Sequence, residues 1–207
     1  MHYILSRLCQ PLVDLVAPPR DTELLVRELC EEDLMELVMP NEIGLLPYHD
    51  ERARALVWEM KYYASSRAAN LGGIILAEAL IEYASDILGE PLLIPIPLHH
   101  TRRRERGHNQ SELLCKAALA HAPHCAQYAP QLLVRHKATP HQQGSARHKR
   151  LSNLKNSMTA PHPERLRGRT VIIVDDVTTT GATFAEAKRA LLAAGAAHVY
   201  CLALAQS

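Results

Sequence analysis

TVIIVDDVTTTGATF, residues 170–184, is the stretch from which the fold of this chain can be read. Its first half is a continuous β-branched run, which fits a central strand of a parallel sheet, buried on both faces. The strand delivers two adjacent carboxylates, Asp175 and Asp176, at its C-terminal end, where open α/β sheets bind their ligands. Thr178, Thr179, Thr180, Gly181, Ala182 and Thr183 then turn the chain into a helix. Successive backbone N–H groups, the threonine hydroxyls and a helix N-terminus make a phosphate cradle, and Gly181 lets the backbone approach the anion. Carboxylates beside such a cradle repel a bare phosphate but accept from hydroxyls one sugar away. A ribose 5-phosphate has that shape. The stretch contains neither a Gly-Lys-Ser/Thr phosphate loop nor a three-glycine dinucleotide fingerprint.

Working outward, Ala182 to Ala194 reads as a helix ending at Gly195, and HVYCLALA (198–205) as the next strand, which together make a βαβ unit. Upstream, PLLIPIP (91–97) is a short buried strand, Asn109 to Ala120 a helix, and QLLVRH (131–136) another short strand. The polar, basic stretch 137–168 is either disordered or a functional loop. Farther back, the spacing predicts helices from Asp21, as cap, to about Val38, from Asp50 to Tyr62 and from Arg67 to Tyr83. Trp58 reads as a core residue. The expected organisation is an N-terminal helical arm over 1–45 and an α/β domain over 46–207.

The chain has 207 residues, 47% hydrophobic and 22% charged, the proportions of a globular protein rather than a disordered or collagen-like one. No apolar run approaches the roughly 20 residues of a membrane-spanning helix. The opening MHYILSRLCQPLVDLV lacks the basic flank and cleavage site of a leader, so cytoplasmic residence without membrane insertion is the expectation. The net charge of +1 hides a segregation: eleven acids against three Lys/Arg from Asp21 to Glu59, and nine Lys/Arg against one acid from Gln131 to Arg169. The basic side fits phosphates of a small molecule or a nucleic acid, or is a solvated face. One Trp, one Phe and seven Tyr argue mildly against a strand-binding groove of stacked rings. Five cysteines, none two residues apart, give no disulfide framework and no intact zinc ribbon.

Residues 171–183 resemble the phosphoribosyl pyrophosphate (PRPP) motif of type I phosphoribosyltransferases: four apolar residues, two acids, then a Thr/Gly turn. PIPLHHTRRRERGHNQSELL further resembles the ComF-type family of competence and DNA-uptake phosphoribosyltransferase-like proteins. The matching residues are Pro95, Pro97, Arg102, Arg106, Gly107, Asn109 and Gln110, with His108 in place of the family's aromatic. The Lys61-Tyr62 pair and Thr139, Gln142, Arg150 and Asn153 extend the resemblance over about 48–205. Many members begin with two Cys-x-x-Cys pairs; here Cys9 is followed by Leu12 and Cys30 by Asp33, so a structural zinc is not expected.

The resemblance implies a type I phosphoribosyltransferase-like parallel sheet flanked by helices, with PRPP or a related phosphorylated ribose as ligand and Mg²⁺ as cofactor. Asp175 and Asp176 would grip the ribose hydroxyls and orient the metal indirectly, and Thr178 to Thr183 would hold the 5-phosphate. Pro97 and the turn after it, with Arg102 and Arg106 as charge clamps, would face pyrophosphate. Lys61 would assist, or serve as a helix-end cation. Lys137, Arg147 and Arg150 would belong to a lid over the site. No residue stands out as a general base or names the acceptor. Three functions remain open: a PRPP-dependent transferase serving competence or use of external DNA, a non-catalytic nucleotide-responsive regulator, and an adaptor for single-stranded DNA or DNA-uptake proteins.

Overall fold

The computed structural model describes residues 19–40, 42–137 and 154–207. Its centre is a five-stranded, wholly parallel sheet of order β1-β7-β6-β2-β3: β1 Gly44–Pro47, β2 Leu92–Pro95, β3 Gln127–Tyr128, β6 Thr170–Thr178 and β7 His198–Gln206. Central β6 pairs with β2 from Leu92↔Val171 to Pro95↔Val174 and with β7 from Thr170↔His198 to Thr178↔Gln206. Its β-branched run has the expected cause. Ile172 and Val174 enter one core and Val171 and Ile173 the other, all fully buried.

The first core lies under α1 Asp21–Glu28, α2 Glu31–Met35, α3 Glu51–Tyr63, α4 Ser66–Asp86 and α6 Gln110–His121. The second lies under α8 Ala182–Ala193, with Leu166 of the short α7 Pro163–Leu166 and Met158 of the two-residue strand β5 Met158–Thr159. Between β2 and α6 stands α5 His100–Arg106, ended by Gly107 at φ +76°. None of the described helices is long and apolar enough to cross a membrane.

Several expectations change. The single helix from Asp21 to Val38 is two, with Arg20 rather than Asp21 at the cap position. Arg67 donates to the Val26 and Leu29 carbonyls at 2.7 and 2.8 Å, taking acceptors a continuous helix would use itself. Asp33 accepts the Cys30 N–H at 2.9 Å and starts the second helix. QLLVRH does not join the parallel sheet. Pro130–Leu132 form a 3₁₀ turn, and β4 Val134–Arg135 pairs antiparallel with β5 as a separate ribbon. Strands β1 and β3 are too short for periodicity to reveal. Strand β1 spans the 45/46 division, and Val26, Leu29 and Leu34 share a core with α3 and α4. Trp58, expected inside, is 43% exposed on the outer face of α3.

Candidate active site

The C-terminal end of β6 places Asp175 and Asp176 beside the first turn of α6. Asn109 caps that helix: its Oδ1 accepts the Ser111 N–H at 3.1 Å, and its Nδ2 donates to the Ile96 carbonyl at 3.0 Å. The cap locks the helix to the strand β2 exit, and the next two side chains reach the acids. Gln110 Nε2 donates to Asp176 Oδ2 at 3.1 Å, and Ser111 Oγ donates to Asp175 Oδ1 at 3.0 Å. Asp175 Oδ1 also accepts the Asp176 N–H at 3.0 Å, and Asp176 Oδ1 the Val177 N–H at 2.9 Å. Asn109, Gln110 and Ser111 are all buried, so the polar triplet serves to hold the carboxylates. Burial, followed by the charge and bonding of Asp176, pushes the Asp175 carboxyl well above the ordinary carboxylate range.

Thr178 is buried, Thr179 exposed, and Thr180 and Thr183 partly exposed. Gly181 sits at φ +71°, with no atom within 4 Å of where a Cβ would stand. It occupies the cap position of α8, which has no side-chain cap and no acid in its first turn. That amide-bearing end is therefore open to an anion.

Cations approach from two sides. Pro97 is partly buried just beyond β2, and His99 caps α5, with Nδ1 2.8 Å from Thr101 Oγ1. Burial and then the neighbouring Arg106 lower the proton affinity of Arg102. Arg106 Nη1 donates to Gln110 Oε1 at 3.3 Å, so one amide links an arginine to Asp176. His108 lies 2.7 Å from the Met60 carbonyl and 2.9 Å from the Arg106 carbonyl, joining the turn to α3. Lys61 stands in the last turn of α3, its Nζ 5.6 Å from the Tyr62 ring centre. Arg150, with Arg147, Thr139, Gln142 and Asn153, lies outside the described residues, as do Cys9 and Leu12.

Sequence reasoning assigned no contact to three participants. Gln110 entered only as a residue of the family pattern and Ser111 without a role, although polar residues opening a helix beside a carboxylate strand are the visible signal. Arg135 is the third. It is 9% exposed on β4, and its Nε and Nη2 have no hydrogen-bond partner among the described residues. Burial lowers its proton affinity, while Asp175 opposes that effect and Arg102 adds to it. Its charge is thus coupled to those of Asp175 and Arg102. A lone arginine in an apolar strand is its only trace in the sequence.

The family model described as phosphoribosyl transferase domain matches residues 72–207. DNA utilization protein YhgH of Salmonella typhi is 40% identical over 151 residues, covering 71% of this chain and 65% of that protein. Competence protein F of Haemophilus influenzae is 33% identical over 118 residues, covering 56% of this chain and 50% of that one. This chain therefore spans between half and two thirds of the length of these curated relatives. Among solved structures, a phosphoribosyltransferase from Corynebacterium diphtheriae aligns with TM-score 0.39 and 21% identity, over 82% of this chain and 79% of that one.

Proposed function

The chain belongs to the phosphoribosyl transferase domain family, in its ComF-type branch of competence and DNA-utilisation proteins, and from that premise we propose that it binds PRPP with Mg²⁺. One observation carries the reading: a rigidly held carboxylate pair stands a few residues before a helix N-terminus that has no cap of its own. In the proposed complex Asp175 and Asp176 accept the ribose 2′ and 3′ hydroxyls, and residues 178–183 hold the 5-phosphate. Arg102, Arg106 and Arg135 supply positive charge for pyrophosphate. The Nε and Nη2 donors of Arg135, without a partner among the described residues, support this, because a buried guanidinium short of acceptors favours an anion beside it.

The donor set also fits magnesium, a hard cation that takes one or two carboxylates together with substrate phosphates. The like charges of the pair favour a cation between them and the phosphates. When bound, the ion would neutralise charge on the departing pyrophosphate. The protein's own contribution is positioning. Gln110 and Ser111 fix the carboxylates, the α8 amides fix the phosphate, and the arginines meet negative charge as it develops. Serving the use of external DNA is the proposed setting, after the names of the relatives.

Titration calorimetry with PRPP and Mg²⁺ tests this. Binding by the wild type that is lost in Asp175→Asn/Asp176→Asn, with an unchanged circular dichroism spectrum, is the expected result. Equal affinity in that folded variant, or no binding by folded wild type, overturns it. Pyrophosphate release on adding candidate acceptors then separates a transferase from a ligand-responsive regulator.

A further inference from the structure

Acids also collect away from the carboxylate pair. A groove of about 550 Å³ runs between the C-terminal half of α4 and the segment that links α2 to β1. Leu45, Ile75 and Ala79 form its buried floor, and half-buried Val38 lines one wall. Met35 and Ile81, 38% and 51% exposed, leave apolar surface open to water at its rim.

Carboxylates edge this apolar surface. Glu78, Glu82 and Asp86 follow at four-residue spacing along α4, a row about 12 Å long. Glu42 adds a fourth from the other wall. All four are exposed, and among the described residues no cation pairs with any of them. The row gains nothing from its own helix. Like charges four residues apart repel, and the last turn of a helix already carries the negative end of its dipole. The last turn of α4 holds no basic residue to offset this. The groove also stands apart from the candidate site: α4 delivers the chain to the start of β2, whereas Asp175 and Asp176 lie at the far end of β6. None of the residues assigned to the phosphoribosyl ligand lines it.

We propose that this groove docks a cationic amphipathic helix of a partner protein. The apolar face of that helix covers Met35, Ile75 and Ile81, and its lysine or arginine side chains, three or four residues apart, meet Glu78, Glu82 and Asp86. Apolar surface and unpaired charge of one sign together call for a partner that is apolar and oppositely charged. The same carboxylates repel phosphates, which sets aside nucleic acid and anionic lipid. Among the described residues, no group of three or more His, Cys, Asp or Glu side chains could hold a metal ion. A free polyamine would meet the charges but leave Met35 and Ile81 in water.

Calorimetric titration of the full-length protein with three synthetic helical peptides of about 18 residues tests this. The first has leucine on one face and lysine on the other. The second carries glutamate in place of lysine, and the third keeps lysine but has glutamine in place of leucine. Saturable binding of the first alone, weakening as salt rises, is expected. Ile81→Ser should lower its affinity at least about fivefold, and Glu78→Lys/Glu82→Lys/Asp86→Lys at least about tenfold. The charge-reversed protein should instead bind the glutamate peptide, a gain that a damaged fold would not produce. Unchanged affinity in the folded variants, or equal binding of the second or third peptide by wild type, overturns the proposal. So does failure of folded wild type to bind the first peptide; a wild-type dimer lost on charge reversal would then assign the groove to a second copy of the chain. Asp175→Asn/Asp176→Asn is expected to bind the first peptide as wild type does, because the inference does not rest on PRPP.

Discussion

Burial and the adjacent Asp176 raise the Asp175 carboxyl, so its ionised form is held in the fold at a cost. A group raised in the folded state loses stability as pH climbs through its folded pKa. Replacing it with asparagine keeps an oxygen for Ser111 and the Asp176 amide while removing that cost. Asp175→Asn should therefore melt about 2–4 °C higher for each kcal/mol relieved, while PRPP affinity falls at least about a hundredfold, by analogy with other charge-bearing binding groups. A lower melting temperature with unchanged affinity would contradict both halves. Glu186 behaves in the opposite sense. Burial opposes its charge, but two bonds from Arg189 at 2.9 Å and the Met158 N–H at 3.1 Å bring it down to about 2 from the ordinary 4.5. A depressed carboxylate stabilises the fold above its unfolded pKa, and that contribution disappears as pH falls from about 4.5 to about 2. Melting curves of wild type and Glu186→Gln should differ at pH 7 and converge near pH 2; a constant gap would count against the assigned role.

Helices α4 and α6 pack with Gly73 at their contact. A Cβ built there would meet Ala117 Cβ at 2.5 Å and its backbone carbon at 2.8 Å. Gly73→Ala must push the helices apart, and overpacking of this kind costs about 1–3 kcal/mol despite the gain in helix propensity. Because α6 carries Gln110 and Ser111, the same change should weaken ligand binding as well as lower the melting temperature. Wild-type values for both would show that the helices tolerate the displacement. Glu186 acts between elements too, since it and Arg189 hold Met158 of β5 through its N–H and its carbonyl. That contact ties the β4–β5 ribbon, and hence Arg135, to helix α8. The periodicity of the sequence found α3, α4, α6 and α8, since each runs for 12 residues or more. It could not find the break at Leu29, which depends on Arg67 thirty-eight residues away.

Across the whole molecule, Glu59 links the N-terminal helices to the body of the fold. It is buried on α3 and accepts from Arg20 at 3.2 and 2.9 Å and from Thr22 at 2.7 Å. Arg20→Ala takes the cation away from the buried Glu59 carboxylate and should cost about 3 kcal/mol, the scale for breaking an ion pair whose remaining member is buried. Chemical denaturation would register it as a lower midpoint at unchanged slope; an unchanged midpoint would mean that α1 contributes nothing to global stability. Ligand should act on the molecule as a unit. PRPP with Mg²⁺ at a hundred times its dissociation constant adds about 2.7 kcal/mol to wild-type stability. The Asp175→Asn/Asp176→Asn protein should show no such shift.

The local code was sufficient for the strand-acid-turn of residues 170–184, because a doubly buried strand, its terminal carboxylates and a Gly-led helix entrance all lie within fifteen consecutive residues. It was sufficient for the parallel α/β class for the same reason: β2, β6 and β7 are apolar runs that need no partner to be seen. Only the tertiary structure brought Gln110 and Ser111 to Asp176 and Asp175 across more than sixty residues. Only it buried the single apolar-strand arginine, Arg135, where the charge of Asp175 acts on it. The exposure of Trp58, which reads as a core residue, was hidden in another way: folding leaves Trp58 and Tyr62 on the outer face of α3, with ring centres 4.4 Å apart. Which face of α3 meets the core is set by the neighbours it packs against, and a helix's own sequence records that only where the outer face is polar.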